Sequence, residues 1–225
     1  ILNAANSDVS FMEFERLLVV FPYTTDCPYF GVSTGGMANI QTPDGDKEMS
    51  IVGLNGIDKI NSGVASHELG HSFGIFHANY FDCGDEIIED NCNSLAYHDS
   101  FDLMGGLPIY FEFEYMAGHY NAYHKEKIGW LAPPNIIETD EEGIYRIEPL
   151  EIQSNGVKAL KVPISGSSDY YYIDYRRPIG YDSIMSSAYG NEIYDGAMIY
   201  NTINEASGDT QLIDMLPLTD VDAQP

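Results

Sequence analysis

Short apolar runs broken by polar turns mark the first third of the chain. "RLLVVF" (16–21) and "EMSIVGL" (48–54) are rich in β-branched residues and are closed by Pro22 and by the Asn55-Gly56 pair, so both read as buried strands. The passage between them is rich in Gly, Thr, Pro and Asp and predicts loop. From Ser62 to Phe73 the period becomes helical: Val64, Ala65, Leu69 and Phe73 share a broad apolar face, and Ser62 offers an N-cap. Residues 78–102 carry no sustained period and read as a long acidic loop, unusual in a compact domain unless it is stapled, metal-bound or functional. Asn121 to Ile128 predicts a short helix with Gly129 at C′, stopped by Pro133 and Pro134. Beyond Pro134 the period drops to two in "GIYRIEPL", "KALKVPI", "YYYIDYRR" and "GAMIYNTI", which predicts a mostly β region over 135–225, with a subdomain boundary after 134.

Composition bounds this picture. With 225 residues and 44% hydrophobic content the chain can fill the core of one large domain or two small ones. Thirty-five acidic against ten basic residues give a formal charge of −25, which repels nucleic acid and anionic lipid and points faintly to secretion. No run of about 18 apolar residues is available to span a membrane. The opening "ILNAANSDVS" lacks an initiator Met and a signal-like segment, and reads as a processed or excised chain whose signal and any pro-segment lie outside it. A monomer is expected. Of the cysteines at 27, 83 and 92, Cys83 and Cys92 lie nine positions apart in the acidic loop and can close a disulfide in an oxidising compartment, free thiols being the alternative; Cys27 has no evident partner. There is no internal repeat, low-complexity tract or N-x-[ST] sequon.

The chemistry concentrates in "HELGHSFGIFH", which holds three of the six histidines. Four residues apart on a helix, His67 and His71 point to the same side and can clamp one ion. If the helix ends at Gly74, where the left-handed conformation costs a glycine little, the chain can turn and bring His77 to that ion. Three imidazoles and an open position suit catalytic zinc. Glu68 lies about 100° round the helix from His67, badly placed to ligate but suited to take a proton from an activated water, so the pattern points to peptide or amide hydrolysis. The bland alternative is three unrelated histidines on an ordinary helix.

"HELGHSFGIFH" resembles the extended HExxHxxGxxH signature of the metzincin zinc endopeptidases, and "FDLMGG" (101–106) resembles their methionine turn. The "VVFP" run, the cysteines before "FDLMG", "HYNAYHKEKIGWL" and "YYYIDYRRPIGYD" narrow the resemblance to the gametolysin-like peptidases, with the immune inhibitor A-type enzymes more distant. It implies an α+β fold: a metzincin-type catalytic domain with a twisted mixed sheet and two main helices over residues 1–134, and a β-rich C-terminal portion over 135–225 that could be integral to the catalytic unit. It further implies His67, His71 and His77 as zinc ligands, Glu68 as acid/base, Met104 as the residue beneath the metal, a protein or peptide substrate bound along an edge strand, here "EMSIVGL", and secretion to act on extracellular or cell-wall protein. Some metzincins place a tyrosine two residues after the turn methionine; Gly106 stands there, and neither Tyr97 nor Tyr110 is assigned its role. A zinc-bearing binding or adhesion module without turnover is the alternative function.

Other signals are weaker. Asp82, Asp85, Glu86, Glu89 and Asp90 offer oxygens enough for calcium but lack the EF-hand arrangement. His98, His119 and His124 have no ligand spacing and read as structural. Asp102 could orient a ligand imidazole, though a turn-forming role is the simpler reading. "GVSTG" (31–35) matches GxSxG around Ser33, but the flanking turn residues favour a glycine-rich loop over a nucleophile elbow.

Overall fold

The computed structural model describes residues 2–56, 62–88, 92–106, 118–184, 194–202 and 209–215. The fold is α+β, and the chain divides into two compact units, Ile1–Ile75 and Phe76–Pro225. The boundary expected after Pro134 falls inside the second. No helix among the described residues is long and apolar enough to cross a membrane.

The first unit opens with a short helix, α1 (Leu2–Ala5), and a single 3-10 turn at Phe11–Glu13. Its strands are β1 (Arg16–Phe21), β2 (Gly31–Ser33), β3 (Ala38–Thr42) and β4 (Gly45–Asn55). β4 is central. Its second half pairs in parallel with β1, from Arg16↔Ser50 to Phe21↔Asn55, and antiparallel with β2; its first half closes a hairpin with β3. The expectation that "EMSIVGL" forms an edge is therefore corrected. Met49, Val52 and Leu54 are buried, and a strand apolar enough to be buried this way takes neighbours on both sides. "GVSTG" is likewise no simple loop, because Gly31 to Ser33 join the ladder as β2.

Helix α2 (Ser62–Ser72) packs against β2 and β4. Ser62 is its first residue rather than its cap. The buried positions are Gly63, Glu68, Gly70 and Ser72, while Phe73 is exposed, so the predicted apolar face is not the one that packs. The small side of the helix at Gly63, Gly70 and Ser72 is thus the buried one, and the Ser72 hydroxyl meets that of Ser50 at 2.5 Å across the contact with β4.

In the second unit β5 (Ala78–Asp82), β6 (Asn93–Leu95), β7 (Ile136–Glu138), β8 (Ala159–Pro163), β9 (Tyr170–Tyr175), β10 (Ala197–Asn201) and β11 (Thr210–Ile213) form one sheet in the order β6-β5-β11-β10-β9-β8-β7. The stretch expected to be loop, 78–102, thus contains two strands. Their pairing with each other and with the distant β11 supplies the order that local pattern did not. "KALKVPI", "YYYIDYRR" and "GAMIYNTI" are strands as expected. "GIYRIEPL" is not: Glu148 N–H bonds to the carbonyl of Val157 and Leu150 N–H to that of Tyr175, two different partners, and Ile144 is fully exposed.

Helix α3 (Ala122–Lys127) is capped by Asn121, whose side chain accepts from His124 N–H at 2.9 Å, and closes on Gly129 in the left-handed region, as the sequence predicts. Ala122 joins Phe101, Leu131, Ile136, Leu150, Ala159, Tyr172, Tyr200 and Leu212 in the core of this unit.

Candidate metal centre

The end of α2 is built by its last glycine. Gly74 has φ +88°, its N–H bonds to the carbonyl of His71 at 2.9 Å, and Ile75 N–H reaches back to the carbonyl of Gly70 at 3.2 Å. These two bonds are the Schellman closure, in which a residue that tolerates positive φ reverses the chain and satisfies the last carbonyls. Ile75, fully buried, anchors the turn. A Cβ on Gly74 would meet nothing within 4 Å, so glycine is required there by backbone conformation alone.

This turn brings His77 to the two helix histidines. One ligand nitrogen each from His67, His71 and His77 lies within 4.8 Å of the others, and the three side chains are half-buried; among the described residues this is the cluster that could hold a metal ion. The rings of His67 and His71 meet edge to face, with centroids 4.8 Å apart. The Nδ1 of His71 lies 3.0 Å from the carbonyl of Ile75. A carbonyl only accepts, so Nδ1 carries the proton and Nε2 keeps its lone pair for a ligand. Three imidazoles are donors of the kind that zinc and similar divalent ions accept, so the cluster could hold such an ion.

Glu68 is buried, and burial pushes its carboxyl up to about 7. Its neighbour across the packing is Gly31 of β2. A Cβ there would stand 2.6 Å from Glu68 Oε1 and 2.8 Å from Cδ, so the carboxyl occupies room that only glycine leaves. Sequence reading missed this role, although Gly31 stood in a motif already singled out. Ser33, two residues on, has a buried hydroxyl with no hydrogen-bond partner among the described residues, which include every histidine, hence no histidine base to activate it as a nucleophile.

In the second unit, Met104 is fully buried and its carbonyl accepts the N–H of Ala78, the residue after His77, at 3.0 Å. A Cβ on Gly105 would collide with the carbonyl of Asp99, and one on Gly106 with that of Tyr97. Asp102 shapes the turn: Oδ1 accepts from Met104 N–H at 2.6 Å, while Oδ2 accepts from Asn121 N–H at 2.6 Å and faces Nδ1 of His124 at 3.0 Å. Burial pushes this carboxyl up, yet the His124 ring and the hydrogen bonds outweigh it and hold Asp102 below the ordinary carboxylate range. The imidazole it orients is thus His124, not a clustered histidine.

Tyr97, to which the sequence assigns no role, sets its ring on His77, centroids 3.8 Å apart. Its φ of +65° is a conformation that costs a non-glycine residue about 1–2 kcal/mol. Tyr110 lies outside the described residues. Cys83 and Cys92 form a disulfide, and Cys27 is free. Of the calcium candidates, Asp82, Asp85 and Glu86 are not gathered into a group that could hold an ion among the described residues, and Glu89 and Asp90 lie outside them. Compared with known proteins, the chain matches no family model, no curated protein and no solved structure.

Proposed function

We propose that the chain is a secreted zinc endopeptidase of the metzincin type, acting on extracellular or cell-wall protein. The observation that carries this reading is the pairing of a three-imidazole cluster with a buried glutamate that shares α2 with two of the three histidines, one residue from the first. A helix that displays two ligands and a base along one and a half turns has little else to do with them.

In this reading His67, His71 and His77 hold the ion, which when bound supplies Lewis acidity and acidifies a water. Glu68 takes the proton from the attacking water and returns it to the departing amine, and its place one residue from the first histidine, buried beside Gly31, suits it to both halves of the cycle. Gly31 gives that carboxyl its room. Because β4 is central, an extended peptide joining the first unit's sheet takes the edge at β2, the strand beside Glu68. The disulfide and the acidic surface agree with an oxidising, extracellular setting.

The test is metal content by mass spectrometry beside cleavage of a quenched casein, for the wild type and Glu68→Gln. One zinc per chain in both, with cleavage falling by about 100-fold or more in the variant, supports the reading. Zinc without cleavage in either favours a silent binding module, and absence of zinc from both overturns the proposal.

A further inference from the structure

His77 is the one clustered histidine that does not stand on α2, so something else must fix it. Its ring packs on Tyr97, but its backbone is held by a residue far along the chain. Asp209 precedes β11 as His77 precedes β5, and those strands start in parallel register, Ala78 opposite Thr210. The N–H of Asp209 donates to the carbonyl of His77 at 2.9 Å, and the N–H of Phe76 donates to Asp209 Oδ2 at 2.7 Å. One residue thus grips the chain on both sides of the histidine.

Asp209 is itself anchored. Lys127, in the last turn of α3, donates to both of its oxygens at 2.8 and 2.7 Å, with the ammonium also 5.3 Å from the Phe76 ring centre. Nε2 of the fully buried His124 faces Asp209 Oδ2 across 3.8 Å and has no hydrogen-bond partner among the described residues, while its Nδ1 lies against Asp102 in the turn at Met104. A buried ring with a carboxylate at each nitrogen ties the turn under Met104 to the clamp on His77.

We infer that Asp209, braced by Lys127, is a positioning residue for the third ligand: it touches no reacting atom and acts by fixing where His77 can present its imidazole. The inference rests on the metal-centre reading above. A backbone clamp of this kind sets ligand direction, and groups behind a ligand are worth about 10- to 100-fold in metal affinity.

The test is titration of the metal-free protein with cobalt(II), whose visible absorption reports coordination number and geometry, for wild type, His77→Ala, Asp209→Ala, Asp209→Asn and Lys127→Met. Wild type should give an intense tetrahedral spectrum that His77→Ala loses. Asp209→Ala should bind cobalt about 10- to 100-fold more weakly with a spectrum displaced toward that of His77→Ala, and Asp209→Asn, which keeps an acceptor for Phe76 N–H, should recover most of both. A folded Asp209→Ala with wild-type affinity and spectrum overturns the proposal. If that variant does not fold, Lys127→Met decides: a displaced spectrum supports the brace and an unchanged one refutes it. Failure of wild type to bind cobalt, or an unaltered spectrum in His77→Ala, overturns the underlying metal centre instead, and the inference with it.

Discussion

The amide of Ala78 donates to the carbonyl of Met104 at 3.0 Å, so the chain leaving the third histidine is hung directly on the turn that holds Met104. That turn survives only with a glycine after the methionine, because a Cβ at 105 would enter the carbonyl of Asp99, a backbone atom with little freedom to retreat. Gly105→Ala is expected to lose about 1–3 kcal/mol of stability and to weaken metal binding with it. Urea unfolding and zinc titration check both, and a variant as stable as wild type would show that the turn is not so tightly set.

Gly31 and Glu68 make a different prediction from the same kind of contact. Here the atoms in the way belong to a side chain, which can swing aside. Gly31→Ala is expected to keep fold and zinc while turnover falls by roughly 100-fold, the scale of a misplaced catalytic group. Equal loss of zinc and activity would instead place the damage in the histidine cluster.

Acid and base will move stability through Asp174. Burial pushes its carboxyl up to about 6, with Arg176 pulling the other way, against an ordinary value of 3.8. A carboxyl raised by folding holds its proton after the unfolded chain has released it, so the fold loses stability as pH rises from 3.8 toward about 6 and the cost is complete above that. Asn removes the ionisation while keeping an acceptor for Ala122 N–H. The melting temperature of Asp174→Asn relative to wild type should therefore climb through this window and then level off, and a pH-independent difference would contradict it.

How much of this the sequence disclosed depended on distance along the chain. α2, the glycine turn at 74 and α3 with Gly129 are set by neighbours within a few residues, and their patterns carry them, while β1 announces itself by its apolar run although its ladder is made with the distant β4. The three clustered histidines were legible for the same reason, lying within eleven residues of one another. β5 was not, because it is ordered by β11, and neither was the central place of β4, since an apolar run announces burial without naming its neighbours. The apolar stripe of α2 misled: glycines and a serine carry its packing and Glu68 is buried among them. Asp209 gave no local signal at all.

The parallel pairing of β5 with β11 also orders events in time. All three histidines leave the ribosome before β11, the strand that pairs beside the third, and Asp209 at its head, which are made more than a hundred residues later. Bringing such remote segments together carries a loop-closure cost that a growing chain meets only when β11 has been made. The centre proposed here therefore gains the clamp on its third histidine only after Asp209 has been made, so that a chain grown as far as His77 carries all three imidazoles without the contacts that hold the third in place.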